Sequence, residues 1–232
     1  MKIIGHRGAA GLAPENSLAA IRAAIAAGVD AIEFDIRVTS DGKLVLSHDA
    51  STMRTHGVNK KVKETHSKEI QKIRSDVGTE VPTLQQAVEA AKGTPLLIEG
   101  KSSGWAEPLA EYLNAHEKLK ASVLSFNHQE LYKFKKLSPE TKTYVLEHRN
   151  PFDAINAART YQFDGIDFNF WTLNPLTYFL ARRHNFDIAV FTVNKPWLAS
   201  FLNFLYPDIS ITTNDPRKMQ HLREVNRKRK QK

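Results

Sequence analysis

The feature that most constrains the fold is an alternation of short apolar, β-branched runs with helix-like stretches, which continues almost from end to end of the chain. The runs that predict strands are residues 2–5, 31–38, 44–47, 95–101, 122–125, 143–147, 165–168, 187–193 and 209–213. The stretches that predict helices are residues 17–27, 84–91, 106–115, 129–136, 154–161, 175–183, 196–205 and 216–225. Because strand–helix alternation requires crossover connections, it indicates an α/β protein with a parallel sheet. About eight such units favour a closed (β/α)8 TIM-type barrel over an open sheet.

One segment, residues 50–83, interrupts the alternation because it is long and polar, with lysines at 60, 61 and 63. We interpret it as a short excursion after the second strand region, beside the barrel mouth, with a short helix over residues 68–74. No linker-like or low-complexity tract divides the chain, so we predict a single barrel domain over residues 1–225. The basic tail, residues 226–232, is predicted to be disordered.

A net charge of +8 raises the question of nucleic acid as a partner. Five of the basic residues lie within the last six positions, so the tail carries most of the excess. This tail contains no aromatic residue that could stack on bases, and nucleic acid is therefore not predicted. A weak contact of the tail with an anionic surface is the alternative.

The chain contains no cysteine, which excludes disulfides, thiolate zinc sites and cysteine nucleophiles. No apolar stretch suited to secretion follows the first residues. The longest apolar-rich stretch elsewhere, residues 197–206, is too short to span a bilayer. We therefore predict a cytoplasmic enzyme without a transmembrane segment.

Three carboxylates are candidates for a cation site. Glu33 and Asp35 are two residues apart in a predicted strand, so their side chains point to the same face. Two buried acids need compensation, either by a salt bridge or, as the pair favours, by a cation with oxygen ligands. Glu99 and Lys101 repeat this spacing in another strand. Glu99 offers a third ligand and Lys101 a positive charge for an anionic substrate, unless the two form an internal ion pair.

Two histidines, His6 and His48, each end a predicted strand. An imidazole at such a place can donate and accept protons near neutral pH. Arg7 adds a planar guanidinium that matches phosphate oxygens. The remaining histidines are interpreted as surface residues, among them His116, His128 and His221.

Read in order, these residues and their neighbours form a longer series. It comprises His6-Arg7-Gly8, Pro14-Glu15-Asn16-Ser17, Glu33-Phe34-Asp35, Asp41-Gly42, His48-Asp49, Pro82-Thr83-Leu84, Glu99-x-Lys101, Thr192-Val193-Asn194 and Thr213-Asn214-Asp215-Pro216. The series resembles the signature of the glycerophosphodiester phosphodiesterases over nearly the whole chain. Each piece is weak alone, and their order and spacing make the resemblance specific.

This resemblance implies a TIM-type barrel that hydrolyses glycerophosphodiesters to glycerol 3-phosphate and an alcohol, within glycerol and lipid metabolism. It implies that His6 and His48 are the acid–base pair, that Glu33, Asp35 and Glu99 hold one Mg²⁺ or Ca²⁺, and that Arg7 and Lys101 face the phosphate. Asn16 or Ser17 is interpreted as a helix cap. A direct active-site role for Glu15 is the less favoured interpretation.

Three positions depart from the resemblance. Gly100 replaces an apolar residue and is expected to loosen its strand end, Phe191 stands where tryptophan is frequent, and Asn214 where aspartate is frequent. These departures bear on substrate fit more than on the reaction.

The sequence is compatible with two alternatives to the implied function. One is a lysophospholipase D acting on lysolipids through a wider apolar entrance, lined by Trp105, Phe170, Trp171 and Phe191. The other, from a different class, is a non-catalytic protein that binds a phosphate ligand, and it would be expected to lack a histidine or an acid of the series. None is missing. The sequence leaves open the headgroup, the metal, the oligomeric state, the base among the two histidines, and the nucleophile, which is water or the glycerol 2-hydroxyl.

Overall fold

The computed structural model describes residues 1–223 and 225. The strands are β1 (Lys2–Gly5), β2 (Ala31–Val38), β3 (Leu44–Leu46), β4 (Leu96–Gly100), β5 (Ala121–Ser125), β6 (Lys142–Glu147), β7 (Gly165–Asn169), β8 (Asp187–Phe191) and β9 (Ser210–Thr213). The α-helices are α1 (Leu18–Ala26), α2 (Met53–His56), α3 (Ser67–Ile70), α4 (Leu84–Ala91), α5 (Ala106–Asn114), α6 (His128–Leu137), α7 (Pro151–Thr160), α8 (Pro175–Arg183) and α9 (Pro196–Leu205). Short 3₁₀ helices occupy Val62–Glu64 and Pro216–Met219.

Eight strands form a closed parallel barrel. Their order is β1-β9-β8-β7-β6-β5-β4-β2, and a further pairing of β1 with β2 closes the ring. Each pairing in the ring is parallel. The prediction of a (β/α)8 TIM-type barrel is therefore confirmed. The predicted basic tail, residues 226–232, lies outside the described residues, and the single domain over residues 1–225 stays a prediction.

The ninth strand, β3, is not part of the barrel. It pairs antiparallel with the far end of β2, with Leu46 opposite Ile36 and Leu44 opposite Val38. Residues 44–47, predicted as one of the alternating strands, do form a strand over Leu44–Leu46, but it runs antiparallel and lies outside the barrel. The hairpin extends β2 past its pairing with β4, and its returning strand leads the chain back to the barrel rim. A hydrogen bond from Ser47 N to Asp35 O, at 3.1 Å, places Ser47 beside Asp35 of β2.

The excursion has a small apolar core of its own, made by Val45, Val62, Ile70 and Val81. The predicted helix over residues 68–74 is shorter than expected and ends at Ile70. Arg74 instead forms an antiparallel bridge with Glu80. The segment is therefore a packed extension of the barrel rim.

Proline and capping residues determine several helix starts. Pro175 and Pro196 begin their helices, as predicted. Pro151 likewise begins α7, three residues before the predicted start, because Asn150 caps that helix. The predicted helix over residues 216–225 is confirmed only in part, since Pro216 begins a 3₁₀ turn that ends at Met219 and α-helix follows at residues 221–223 and 225.

The two faces of the barrel strands carry different residues. Outward-facing Phe34, Ile98 and Phe168 are buried in the main core against the helices. Inward-facing neighbours on the same strands are acids, among them Glu33 and Glu99, and they are also buried. The alternation of strand side chains thus separates an apolar shell from a charged interior.

Gly100 does not loosen β4, contrary to the expectation from the sequence. Any Cβ at this position would overlap the ring of Trp105, which is fully buried in the core. The indole therefore occupies the space that a side chain at position 100 would take. This burial also corrects the idea that Trp105 lines a substrate entrance.

Gly100→Val is expected to destabilise the protein by about 2–3 kcal/mol through overpacking. In a Trp105→Leu background the same change should cost less than half as much, because the smaller side chain leaves room. Urea denaturation of the four proteins in this double-mutant cycle measures the coupling. Equal penalties in both backgrounds would contradict the direct contact.

Candidate active site

Three buried carboxylates, those of Glu33, Asp35 and Glu99, converge inside the barrel. Each offers an oxygen atom, and these atoms all lie within 4.8 Å of one another. Their proximity follows from strand register, because Asp35 of β2 lies directly beside Glu99 of β4 and Glu33 is two residues away on the same face. The structure thus brings the three sequence-predicted acids together.

The electrostatics of this cluster suit a bound cation. Burial, followed by repulsion from Asp35 and Glu99, raises the pKa of Glu33 well above its usual value. Burial and the charge of Asp35 raise the pKa of Glu99 to about 8. In Glu33, Oε1 is buried without a hydrogen-bond partner among the described residues. Oxygen donors held close together, with one atom unsatisfied, fit a hard divalent cation.

Asp35 differs from its two neighbours. Burial alone would raise the pKa of Asp35, but the charges of Lys101 and Arg7 and a hydrogen bond from Asn16 hold it below its usual value. Lys101 Nζ lies 3.1 Å from Asp35 Oδ1, and it also pairs with Glu99. The internal Glu99–Lys101 pair considered from the sequence is therefore present, and Lys101 reaches Asp35 as well.

Arg7 lies on the other side of the same cluster. Its Nε is 3.4 Å from Asp35 Oδ2, and its backbone N–H donates to Glu33 Oε2 at 2.7 Å. Its Nη1 donates to Glu15 at 2.8 Å, and Glu15 also pairs with Arg54. Glu15 therefore positions Arg7 through an ion pair at the edge of the site.

Asn16 has a larger part in the site than sequence reasoning assigned to it. Ser17 is the cap of α1, whereas Asn16 is buried with a φ of 53°. Asn16 Nδ2 donates to Asp35 Oδ2 at 2.7 Å, and Asp35 N donates to Asn16 Oδ1 at 3.0 Å. This reciprocal pair fixes the orientation of Asp35. A positive φ, which asparagine tolerates, was the available signal.

His6 is held by residues from the end of the chain. Its Nδ1 lies 2.5 Å from Asn214 Oδ1, an oxygen that can only accept, so Nδ1 carries the proton and Nε2 is left with a lone pair. Asn194 in turn accepts a hydrogen bond from Asn214 N at 2.9 Å. Burial lowers the pKa of His6, with the hydrogen bond to Asn214 partly opposing that shift. The imidazole is therefore neutral at pH 7.

His48 is held by an anionic partner instead. Its Nδ1 lies 2.7 Å from Asp49 Oδ1. A hydrogen bond from Arg54 is the main reason why the pKa of Asp49 falls to about 2, so that carboxylate is ionised at neutral pH. Arg37, which sequence reasoning did not single out, donates to the His48 carbonyl from Nε at 3.0 Å and Nη2 at 2.7 Å. Both His48 and His6 interact electrostatically with Asp35, which places them around the same cluster.

Aromatic side chains line the rim beside Lys101. The ammonium of Lys101 lies over the ring of Phe126 at 5.8 Å, and Phe126 contacts His148 and Phe191 edge-on. Trp171 is 81% exposed near this rim, and Phe170 packs on it. The rim of the barrel is thus partly apolar.

Of the histidines interpreted as surface residues, His116 and His221 are exposed and His128 is half-buried.

One further acid of the barrel interior, Asp167 on β7, was not foreseen. It is buried, and its Oδ1 has no hydrogen-bond partner among the described residues. Burial, followed by the charge of Glu99, raises the pKa of Asp167 well above its usual value. Its neutral form is therefore favoured over the carboxylate.

A cavity of about 580 Å³ lies elsewhere, between the β3 hairpin and α5, with Lys43, Gln71 and Tyr112 in its wall. Its wall contains none of the acids of the cluster, neither His6 nor His48, and neither Arg7 nor Lys101. The chemistry of the side chains, rather than the size of a cavity, therefore identifies the barrel mouth as the candidate active site.

The sequence pattern of the Glycerophosphoryl diester phosphodiesterase family matches residues 6–227. The chain belongs to this family. The resemblance drawn from the motifs is confirmed, and the chain is a phosphoric diester hydrolase. A glycerophosphodiester phosphodiesterase of Bacillus subtilis is 28% identical over 83% of this chain and 76% of its own length. That of Caldanaerobacter subterraneus is 33% identical over 62% of this chain and 65% of its own length.

The family assignment agrees with the fold. A phosphodiesterase of Oleispira antarctica, solved with its product sn-glycerol 3-phosphate, superposes with a TM-score of 0.89 at 24% identity over 97% of both chains. At this identity the likeness shows the fold of the phosphodiesterase barrel. Within residues 1–223 and 225, none of the helices combines the length and apolarity that crossing a membrane requires.

Proposed function

We propose that the chain hydrolyses glycerophosphodiesters to glycerol 3-phosphate and an alcohol by divalent-cation-dependent acid–base catalysis. The observation that carries this proposal is the convergence of the acids Glu33, Asp35 and Glu99 with two cations and two histidines at one end of the barrel. Family membership and the product found in the Oleispira antarctica structure support the substrate class.

Glu33, Asp35 and Glu99 would hold one Mg²⁺ or Ca²⁺, since both ions prefer carboxylate oxygens. When bound, the cation supplies positive charge to the non-bridging phosphate oxygens and helps to orient the diester. Asn16 forms two hydrogen bonds with Asp35, so the protein itself sets the orientation of this proposed ligand.

Arg7 and Lys101 would contact the phosphate from opposite sides of Asp35. Both touch that carboxylate, and both side chains keep some exposure, 19% for Arg7 and 14% for Lys101. Each therefore combines a fixed position with donors that can reach an anion. Charge that develops on the phosphate in the transition state would be stabilised by donors already in place.

His6 would act as general base and His48 as general acid. A neutral imidazole with its lone pair on Nε2, as in His6, can accept a proton from water or from the glycerol 2-hydroxyl. The Asp49 carboxylate, 2.7 Å from Nδ1, holds the ring of His48 in place, and His48 would protonate the departing alcohol. At position 214, where the family often has aspartate, the amide oxygen of Asn214 contacts His6 Nδ1, so the two histidines have partners of different charge.

Activity on lysolipids is the second candidate. The partly apolar rim with exposed Trp171 favours it, and rat lysophospholipase D GDPD1 is 35% identical over 42% of this chain and 35% of its own length.

Product analysis separates the two candidate activities. Phosphorus NMR of reactions with glycerophosphocholine and lysophosphatidylcholine should show glycerol 3-phosphate from the first, and a transient cyclic phosphate if the 2-hydroxyl attacks. Hydrolysis of neither substrate by the metal-loaded protein, despite tight binding, would favour a phosphate-ligand binding protein instead. The cytoplasmic location stays a prediction.

Replacing Arg7 or Lys101 with methionine is expected to weaken transition-state stabilisation by about 2–4 kcal/mol, the scale for one charge-stabilising donor. Steady-state kcat/KM on glycerophosphocholine measures the loss. Lys142→Met is the matched control, because Lys142 also pairs with a carboxylate, that of Asp187, but belongs to no part of the site. Wild-type activity in Lys101→Met would make Lys101 a structural partner of Glu99 and Asp35.

A further inference from the structure

The outer face of α9 carries exposed aromatic residues. Trp197, Phe201 and Phe204 are 69%, 54% and 70% exposed. Their spacing of four and three residues places them on one side of the helix. The opposite side already packs into the protein through Ala199 and Leu202. The helix is thus apolar on the side that faces away from the barrel, where a surface helix is normally polar.

The neighbouring helix α8 continues this surface. Its Leu176 and Phe179 are 56% and 58% exposed. The rings of Tyr178 and Tyr206, 4.6 Å apart, join α8 to the end of α9. We call the exposed residues of the two helices the aromatic face. It consists of Leu176, Phe179, Trp197, Phe201 and Phe204. Five large apolar side chains on adjacent helices exceed the scattered exposure that is normal for a protein surface.

The charges around the aromatic face are mainly positive. Neither α8 nor α9 contains an aspartate or a glutamate. Arg183 at the end of α8 and Lys195 immediately before α9 are exposed. The acid nearest in sequence, Asp208, is engaged by Arg182 at 3.1 Å and by Tyr178. An anionic partner would therefore meet little repulsion here.

The C-terminal part of the chain adds to this positive charge. His221 lies beside α9, since its Nε2 is 2.9 Å from Ser200 Oγ. From there the sequence runs within a few residues into the basic stretch of residues 227–232. The basic stretch therefore begins six residues after His221 in the sequence.

We propose that the aromatic face docks onto a lipid bilayer that contains anionic lipids, with α9 lying in the plane of the interface. Tryptophan and phenylalanine side chains partition to the headgroup region, and nearby lysines and arginines are attracted to anionic lipids. The ten residues of α9 are too few to cross a bilayer. A second copy of this chain fits less well, because it would bring the same positive charges together without an acid on either helix to offset them.

The docking surface lies beside the barrel mouth. Helix α9 begins five residues after the last residue of β8, so Trp197 is on the mouth side and Phe204 lies about 10 Å further along the helix. Docking would hold the mouth next to the membrane surface. The inference does not depend on the proposed reaction, because membrane binding is measured without turnover.

Co-sedimentation of the full-length protein with vesicles tests this inference. Phosphatidylcholine vesicles containing phosphatidylglycerol should bind the wild type, and pure phosphatidylcholine vesicles should bind it less. Trp197→Ser, Phe201→Ser and Phe204→Ser combined should lower the partition coefficient at least about tenfold. Added salt should weaken the binding of the wild type, because it screens the basic residues.

A matched control carries Val58→Ser, Val77→Ser and Leu137→Ser, which replace three exposed apolar residues elsewhere. This control should bind vesicles like the wild type, and thermal melts should show that both triple variants are folded. Failure of the wild type to bind anionic vesicles, or equal binding by the aromatic variant, would overturn the inference. So would a wild-type dimer in sedimentation equilibrium that the aromatic substitutions dissociate without vesicle binding, which would make the face an interface between copies.

Discussion

Loss of either imidazole, in His6→Ala or His48→Ala, is expected to lower kcat about 10²–10⁴-fold, the usual contribution of one positioned proton-transfer group. The double variant should lose less than the product of the two effects, because groups that act as a unit are not additive. Steady-state kinetics on glycerophosphocholine measures the three variants. His116→Ala, which removes an exposed imidazole from the same protein, is the control and should be fully active.

A substrate with a p-nitrophenol leaving group separates the two roles. This leaving group departs with little need for protonation, so the substrate should restore much of the rate of His48→Ala and little of that of His6→Ala. Equal rescue of both variants, or of neither, would contradict the assignment of base and acid.

The pH dependence gives an independent check on His6. A base must be deprotonated to work, so activity falls as the pH drops through the pKa of His6, which burial lowers. In Asn214→Asp a carboxylate would replace the amide that contacts His6 Nδ1 and would favour the imidazolium. The acidic limb of the kcat/KM profile should therefore move to higher pH by at least about one unit. An unchanged limb would show that another group controls it.

Loss of cation binding is the second large effect expected, in Glu33→Gln, Asp35→Asn and Glu99→Gln. Each substitution removes a negative ligand from the cluster, so Ca²⁺ or Mg²⁺ should raise the melting temperature of the wild type and not that of the variants. The readout does not require activity. Glu111→Gln, an exposed acid on α5, is the control and should keep the cation-dependent stabilisation.

The metal-free protein should behave differently with pH. Burial and Asp35 raise the pKa of Glu99 from 4.5 to about 8, so the native state binds a proton that the unfolded state releases in this range. The free energy of unfolding of metal-free protein should therefore fall as the pH rises from 4.5 to about 8. Glu99→Gln should flatten this dependence of the free energy of unfolding on pH. An unchanged dependence in that variant would show that other groups cause it.

Much of the fold follows from local patterns. Periodicity predicts eight crossover units, and the two-residue spacing of Glu33 with Asp35, and of Glu99 with Lys101, predicts inward-facing pairs on two strands. What periodicity does not give is strand direction, because a three-residue run such as Leu44–Leu46 has the same composition in a parallel or an antiparallel pairing. The strand before His48 was therefore predicted without its antiparallel direction.

The residues that orient the site were harder to predict because their contacts are distant in sequence. Asn214 contacts His6 across 208 residues, and Asn16 contacts Asp35 across 19. The contact between Gly100 and Trp105 was also hard to predict, although the two residues are close in sequence. A large ring that packs against a glycine leaves no periodic pattern in the sequence. Such pairs become visible only when the strands and helices are assembled.

The most direct test of the central claim is the rate of glycerophosphocholine hydrolysis by protein stripped with a chelator, before and after Mg²⁺ or Ca²⁺ is restored. We predict that the stripped wild type is inactive, that one of the two ions restores glycerol 3-phosphate production, and that Glu99→Gln is not restored at the same ion concentration. Full activity of the stripped protein would contradict a cation held by Glu33, Asp35 and Glu99.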